Sequence, residues 1–358
     1  MSQNQPDARP TSRRNVTFAV STLVTALLVA ALMWVPSPYV VRTPGPTKDV
    51  LGEVNSRPLI SISGEDTFDP SGELLLTTVG VQGGPSASVS FAQVIQGWLD
   101  PKRAVYPVET VYPPESTQEE IETVNTALMV TSQENATYAA LSQLGYSVPT
   151  TLAIQEVLEE SEATGTLQSG DVLVSLNGQA TDTYESLVAQ LDAMAGGDEV
   201  DVVVERDGEL VSARFPTIAS STSEGARLGL TLDITFDFPV DVDIEIDNIG
   251  GPSAGMIFAL GIMDMMTSED ELNGEKIAGT GTMDTTGQVG AIGGIRQKLN
   301  GAVRDGASYF LAPASNCEEV VGYIPEGLDV IAVDTLSSAW DAVQAIGAGD
   351  TSELTRCQ

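Results

Sequence analysis

The sequence predicts a mixed α/β (α+β) fold that follows one N-terminal membrane helix, and three observations support this. Residues 229–347 alternate short apolar strands with helices, which is typical of an α/β or α+β domain. Residues 148–218 instead run strand, turn, strand, helix and hairpin, with Asn177-Gly178 as a hairpin-type turn signal. Residues 16–35 are twenty residues without a charge, about the length of one membrane span.

The N-terminal segment predicts a single-pass protein of the cell membrane. Arg13 and Arg14 precede the apolar run, so the positive-inside rule leaves residues 1–15 in the cytoplasm and everything after Pro36 outside. The alternative is a cleaved signal peptide. The length of the apolar run and the lack of a small-residue cleavage motif at its end favour an anchor over residues 16–35.

Composition excludes several classes of function. The chain has 16 Lys and Arg against 50 Asp and Glu, a net charge of −34, which argues against a nucleic-acid partner. It has no histidine, so Ser-His-Asp triads, Cys-His dyads and His-ligated zinc sites cannot be built. Two cysteines cannot form a Cys₃ or Cys₄ site. We therefore predict no bound metal and no cofactor.

The two cysteines, Cys317 and Cys357, stand 40 residues apart (357 − 317). An oxidising compartment outside the membrane permits a disulfide between them, which would tie the C-terminal tail, residues 348–358, to the last domain. Two free thiols are the alternative.

The region between the anchor and residue 148 has two parts. Residues 36–57 are rich in Pro and Gly and predict an extended linker. Residues 58–144 contain short apolar strands, a short helix at 90–99 and a longer helical pattern from about 116 to 144.

The sequence GGPSA occurs twice and supplies two candidate nucleophiles, Ser86 and Ser253. Ser253 follows a strand and a Gly-Gly-Pro turn and opens a long apolar helix, where free N–H groups can stabilise an oxyanion. Ser86 precedes a shorter helix, and we interpret it as an N-cap or turn serine.

A serine nucleophile without histidine needs another base, and the chain offers four lysines: Lys48, Lys102, Lys276 and Lys298. Lys298 flanks the apolar face of a predicted helix, where burial can lower its pKa. To be mostly neutral at pH 7, a lysine must lose about 3–4 pKa units. Arg296 lies near the same face but stays protonated in proteins. Lys298 is therefore the candidate base, and an ordinary surface lysine is the alternative.

The segments GGPSAGMIFALGIM and IAGTGTMDTTGQVGAIGGIRQKLNGAVRDG resemble the proteolytic domain of Lon-type serine proteases. The shared pattern is a PSAG turn, a T-G strand, G-x-V-x-x-I-G-G and a lysine four residues after the last glycine. The resemblance covers about 110 residues. It implies that Ser253 is the nucleophile, that Lys298 completes a Ser-Lys dyad, and that Thr280 supports the lysine amine.

The run LQSGDVLVSLNG resembles a bacterial PDZ domain over residues 148–218. The resemblance implies a β-rich, partly open barrel that binds an extended peptide or a C-terminus by strand addition. The alternative is a PDZ domain that only packs beside its neighbour. With the anchor, the whole chain resembles membrane-anchored, PDZ-containing Lon-like proteases of bacteria. In those proteins, segments corresponding to 58–144 and 229–347 build one protease unit with the PDZ domain inserted.

Two departures from the Lon pattern affect the expected function. Gly250 stands where many Lon enzymes have an acidic residue, and no G-x-x-x-x-G-K-[ST] motif occurs in the chain. We therefore expect an ATP-independent serine endopeptidase acting on flexible extracytoplasmic polypeptides, with the PDZ domain presenting or gating substrate. The alternatives are a catalytically silent PDZ scaffold that recruits envelope proteins and a carboxylate-assisted serine hydrolase. Homo-oligomer formation stays open.

Overall fold

A computed structural model describes residues 13–85, 87–113, 116–220, 225–247 and 249–357. The helices are α1 Arg13–Trp34, α2 Phe91–Leu99, α3 Val108–Val111, α4 Gln118–Gln143, α5 Tyr184–Asp192, α6 Gly255–Met266, α7 Ile295–Arg304, α8 Cys317–Val320 and α9 Leu336–Gly347. The strands are β1 Pro36–Ser37, β2 Tyr39–Asp49, β3 Glu53–Val54, β4 Arg57–Pro58, β5 Ile60–Ser63, β6 Glu73–Gln82, β7 Val89–Ser90, β8 Ala104–Pro107, β9 Thr150–Val157, β10 Val172–Leu176, β11 Gln179–Ala180, β12 Glu199–Arg206, β13 Glu209–Pro216, β14 Ile218–Ala219, β15 Ala226–Arg227, β16 Leu230–Phe236, β17 Asp241–Ile244, β18 Lys276–Gly279, β19 Thr282–Met283, β20 Val289–Gly290, β21 Tyr309–Pro313 and β22 Asp329–Val333.

The chain divides into two compact units. The first combines Met1–Pro46 with Val79–Glu122, and the second combines Thr47–Thr78 with Thr123–Gln358. The second unit contains both the segment predicted as a PDZ domain and the segment that resembles the Lon proteolytic domain.

A parallel sheet forms the centre of the second unit, with β22, β21, β18 and the start of β6 adjacent in that order. Side chains on successive strand residues point to opposite faces, so Leu74 and Leu76 pack toward α6 and α9 while Leu75 packs toward α7. Helices cover both faces, which explains why the strands are continuous apolar runs. This part of the fold is the mixed α/β architecture predicted from the alternation of strands and helices.

A second, largely antiparallel sheet has the order β13-β12-β10-β9-β16, with β11 paired to β10. The β12–β13 hairpin turns at Asp207 and Gly208, both with positive φ (53° and 82°), as a two-residue hairpin turn requires. One strand differs from the sequence prediction: β16 lies within 229–347, yet it pairs with β9 and belongs to this sheet.

Helix α4 leads directly into the second sheet. Its buried Tyr138 and Leu141 pack with Val148, just before β9, and with Val240, just after β16. Phe236 and Tyr184 pack at the edge of the same cluster. Both covalent connections of the second sheet therefore pass through one set of apolar contacts.

The first unit contains α1 and a small β structure after it. Strand β1 pairs with β7, and residues Tyr39–Arg42 of β2 pair with β8. Among the described residues, α1 is the one helix long and apolar enough to cross a membrane, over Arg13–Ala31. A membrane anchor and an uncleaved signal sequence share these properties.

Two segments that the sequence predicts outside the domains, the linker and the C-terminal tail, form backbone hydrogen bonds with strands. Residues 36–57 are extended, as the sequence predicts, but they supply β1, β2 and β3 instead of running free. Val40 and Val41 are fully buried. In the tail, the Cys357 amide donates to the Val330 carbonyl (3.1 Å). Cys357 is joined to Cys317 by a disulfide with a Cα–Cα distance of 4.9 Å.

Candidate active site

The turn before α6 presents Ser253 at the end of a tightly constrained peptide. Gly251 has φ +89°, a conformation that side chains disfavour, and the ring of Pro252 fixes the φ of the proline itself. Ala254 is the N-cap of α6, so Ser253 lies immediately before the start of that helix. No described residue accepts a hydrogen bond from the amide of Ser253 or Ala254. These two N–H groups are therefore available to a ligand near the positive end of the helix dipole.

Lys298 reaches the same point from α7. Gly294 caps this helix with a left-handed φ of 72°, and Ile295, Leu299 and Ala302 bury its apolar face against the sheet. Lys298 lies beside that face and is only 2% exposed. Its Nζ atom is 2.8 Å from Ser253 Oγ and 2.7 Å from Thr280 Oγ1. The structure thus brings together the three residues that the Lon resemblance singles out.

Burial controls the charge of the Lys298 amine. Removal from water lowers the pKa of Lys298 from its usual 10.5 to about 7. Among the described residues, no ion pair within 4.0 Å includes Lys298, so no carboxylate restores the charged form. An amine with this pKa is about half neutral at pH 7, when it can accept a proton from a neighbouring hydroxyl.

The Thr280 hydroxyl is oriented by the peptide that carries the nucleophile. It donates a hydrogen bond to the Ser253 carbonyl (2.9 Å), which also accepts from the Gly281 amide (3.0 Å). With its proton used there, Thr280 Oγ1 is an acceptor toward Lys298 Nζ. A neutral Lys298 that donates one N–H to Thr280 can turn its lone pair toward Ser253 Oγ.

Residues of helix α4 also hold the turn that carries Ser253, and the sequence did not predict their role. The buried Ser132 hydroxyl donates to the Pro252 carbonyl (3.0 Å), and the Asn125 carbonyl accepts from the Gly251 amide (2.9 Å). The Asn135 side chain donates to the Met283 carbonyl (3.2 Å). These residues share one face of α4, at i, i+7 and i+10. The polar side chains of Ser132 and Asn135 are a signal in the sequence, whereas Asn125 acts through its main-chain carbonyl and gives no such signal.

Close packing of α4 also explains the Gly250 departure. A Cβ atom at residue 250 would lie 2.8 Å from the Asn125 Cβ atom, which is closer than such atoms approach. The acidic side chain that many Lon enzymes carry at this position therefore has no room beside α4.

The remaining candidates lie elsewhere. Lys276 pairs with Glu73 (2.7 Å) and not with a serine. Ser86, the serine of the other GGPSA segment, falls outside the described residues. In the described ranges, no group of three or more Cys, Asp or Glu side chains is arranged to hold a metal ion.

Comparisons with known proteins agree with two separate domains. Residues 240–344 match the family described as the Lon protease (S16) C-terminal proteolytic domain, and residues 129–217 match the PDZ domain family. The chain therefore contains a Lon-type proteolytic domain and a PDZ domain. The PDZ match begins within α4, at a point that precedes the predicted boundary of 148.

The curated relatives are Lon proteases that align with a part of the chain. Lon protease 2 of Bacillus subtilis is 32% identical over 111 residues, 31% of this chain and 19% of that protein. A mitochondrial Lon protease homolog of Phaeodactylum tricornutum is 33% identical over 94 residues, 25% of this chain and 10% of that protein. The Lon protease of Endomicrobium trichonymphae is 31% identical over 150 residues, 41% of this chain and 18% of that protein. The chain thus spans between a tenth and a fifth of these relatives.

Solved structures similar to the chain include two small bacterial proteins. The PDZ domain of an SdrC-like protein from Listeria monocytogenes is 18% identical, with a TM-score of 0.21, and the match covers 23% of this chain and 85% of that domain. A protein from Geobacillus thermodenitrificans is 27% identical, with a TM-score of 0.21 and coverage of 23% and 94%.

Proposed function

We propose that this chain is an ATP-independent serine endopeptidase with a Ser253–Lys298 dyad, anchored in the cell membrane by α1, that cleaves extracytoplasmic polypeptides. The observation that carries the proposal is the 2.8 Å contact between a buried lysine amine, whose pKa is lowered to about 7, and the Ser253 hydroxyl. A match to the Lon proteolytic domain over residues 240–344 supports it independently.

Acylation begins when the neutral Lys298 amine accepts the Ser253 proton as Oγ attacks the scissile carbonyl carbon. The carbonyl oxygen becomes an oxyanion, and its donors are the amides of Ser253 and Ala254, which have no acceptor among the described residues. Lys298 now carries a positive charge and transfers a proton to the leaving amine as the C–N bond breaks. The products are an ester on Ser253, a new N-terminus and a neutral lysine.

Deacylation repeats the proton transfers with water in place of serine. Lys298 removes a proton from the water that attacks the ester, and it returns a proton to Ser253 Oγ when the ester bond breaks. Thr280 is a positioning residue in both halves, because its contact with Lys298 Nζ (2.7 Å) directs the lone pair of the amine toward Ser253.

Two features support the proposed choice of substrate. The chain has no phosphate-binding motif for ATP, so unfolding of a substrate by this chain has no energy source, and flexible segments suit the site best. Strand β16 lies at one edge of the second sheet, where a peptide can add as a further strand. The last residue of β16, Phe236, precedes Ser253 by 17 residues in the chain (253 − 236).

The test uses the full chain in detergent or nanodiscs with fluorescent casein, with and without ATP. Ser253→Ala and Lys298→Ala are each expected to lower the rate by about 10³-fold or more. Lys276→Ala is the matched control, because it removes a lysine that pairs with Glu73 instead. Full activity after either dyad substitution would refute the mechanism. A wild-type protein that binds peptides but neither cleaves casein nor reacts with a peptidyl boronate would identify a silent PDZ scaffold.

A further inference from the structure

Helix α2 in the first unit exposes an apolar stripe next to the proposed membrane anchor. Ile95, Trp98 and Leu99 are 38%, 62% and 79% exposed, and their i, i+3, i+4 spacing places them on one face. We call these three residues the α2 stripe. The adjacent face, with Val94 and Gly97, is buried and fixes α2 to its own unit, while much of the surface of the stripe remains exposed.

The start of α2 is tied to the end of α1. The Phe91 amide donates to the Val35 carbonyl (3.3 Å), one residue after α1 ends. Strand β1 pairs with β7, and the buried Ser37 hydroxyl donates to the Val89 carbonyl (2.8 Å). These contacts hold α2 at the level where the chain leaves α1.

Aromatic side chains gather at this level. The rings of Tyr39 and Trp98 meet edge to face with centroids 6.0 Å apart, and the Arg42 guanidinium lies 5.0 Å from the centre of the Tyr106 ring. Trp34 at the end of α1 is exposed as well. Tryptophan and tyrosine concentrate at the headgroup level of membranes, and arginine binds phosphate.

The local charge differs from that of the rest of the protein. Residues 36–46 and 79–108 contain one acidic residue, Asp100, although the whole chain has 50 Asp and Glu, and the next acidic residue is the exposed Glu109 of α3. Asp100 pairs with Arg103 (3.1 Å), and Arg42 and Lys102 are the other basic residues of these segments. The segments next to the α2 stripe therefore carry less negative charge than the chain as a whole, which weakens the repulsion of anionic lipid.

We propose that the α2 stripe inserts into the headgroup–acyl boundary of the same bilayer that α1 crosses. The inference rests on the proposed anchoring by α1, since that anchor brings α2 to the surface. The occupant is phospholipid, because the stripe combines exposed apolar side chains, interfacial aromatic rings and nearby cations. Docking of α2 then holds the first unit against the membrane.

The test uses the three tryptophans, Trp34, Trp98 and Trp340, each left alone in a full-length variant by Trp→Phe changes at the other two. The variants are reconstituted in vesicles of equal parts phosphatidylcholine and phosphatidylglycerol, with or without brominated lipid. We expect Trp98 to be quenched by brominated lipid about twofold or more relative to Trp340, with blue-shifted emission. Quenching of Trp34 reports separately that α1 is in the bilayer.

Two results overturn the inference, and they are distinguishable. If Trp34 is quenched by lipid while Trp98 is quenched only by aqueous iodide, α1 is an anchor and α2 does not dock. If neither is quenched by lipid, the proposed anchoring fails together with the docking. As a second check, Leu99→Gln in the Trp98-only protein should lower the lipid quenching of Trp98. Leu210→Gln, at another exposed leucine, in β13 (68% against 79% for Leu99), should leave it unchanged.

Discussion

The Ser132 hydroxyl donates a hydrogen bond to the Pro252 carbonyl, although the two residues are 120 positions apart and every strand of the second sheet lies between them in the chain. Ser132 belongs to α4, which ends seven residues before β9, the first strand of the second sheet. Pro252 directly precedes the proposed nucleophile. The turn that carries Ser253 is therefore held by a helix that precedes the second sheet in the chain.

Ser132→Ala should impair catalysis without unfolding the protein. It removes the donor to the Pro252 carbonyl and loosens the Ser253 turn, and small misplacements of a nucleophile reduce rates by roughly 10-fold or more. We expect the loss in kcat, with KM for a peptide substrate almost unchanged. Ser142→Ala, which removes a buried hydroxyl near the other end of α4, is the control. Equal losses in the two variants would mean that general destabilisation of α4 is responsible.

Gly250→Ala should displace the nucleophile turn. The new Cβ atom would lie 2.8 Å from the Asn125 Cβ atom, so either α4 or the turn must move. We expect activity to fall by roughly 10-fold or more. Adding Asn125→Gly removes the opposing Cβ atom and should recover part of the loss, despite about 1 kcal/mol of helix destabilisation. The absence of any recovery in the double variant would contradict a steric cause.

The local features of the site could be predicted from the sequence because they depend on neighbouring residues. A Gly-Gly-Pro turn followed by an apolar helix identifies Ser253 as the candidate nucleophile. The apolar face of α7 identifies Lys298 as a lysine that can be buried. The role of Thr280 came from family resemblance alone, since nothing in its own segment distinguishes it from other threonines.

The features that the sequence did not predict depend on partners far along the chain. Strand β16 has the same period of two whichever sheet it joins, so its pairing with β9 leaves no local trace. In the same way, Asn125 and Gly251 are 126 residues apart (251 − 125). Their hydrogen bond depends on the packing of α4 against the Ser253 turn, which local sequence does not specify. The Pro- and Gly-rich composition of residues 36–57 indicates extended backbone but not whether it is paired.

The rate should depend on pH through Lys298. Its neutral form is the proposed base, and burial lowers its pKa to about 7. We therefore expect kcat/KM to rise about tenfold per pH unit below pH 7 and to level off above it. The measurement is peptide cleavage between pH 5.5 and 9.5, in buffers of constant ionic strength. A rate still rising at pH 9.5 would indicate a solvated amine and contradict the proposed desolvation.

Lys298→Met should stabilise the fold while it abolishes activity. Between about pH 7 and 10.5 the unfolded chain holds a proton on Lys298 that the folded chain has lost, so wild-type stability rises with pH in this window. At pH 7 the buried lysine costs about 4 kcal/mol, and lost contacts with Ser253 and Thr280 reduce the net gain to about 1–3 kcal/mol. Thermal unfolding of both proteins at pH 7 and 9.5 should show an advantage of the variant that shrinks at the higher pH. A constant difference would mean that the proton on Lys298 is not responsible.

The disulfide between Cys317 and Cys357 should contribute to stability and not to catalysis. It closes a loop of 40 residues, for which chain entropy gives a stabilisation of about 4 kcal/mol. It also secures the backbone hydrogen bonds that join the tail to β22, including Cys357 to Val330 and Ala332 to Thr355. We expect Cys317→Ala/Cys357→Ala to unfold at a markedly lower temperature and to cleave casein at 25 °C at an unchanged rate. The wild type in reducing agent should behave as the double variant does. Because the disulfide lies outside the contacts of Ser253 and Lys298, a large loss of activity in a folded double variant would show that α8 and the tail support the active site as well.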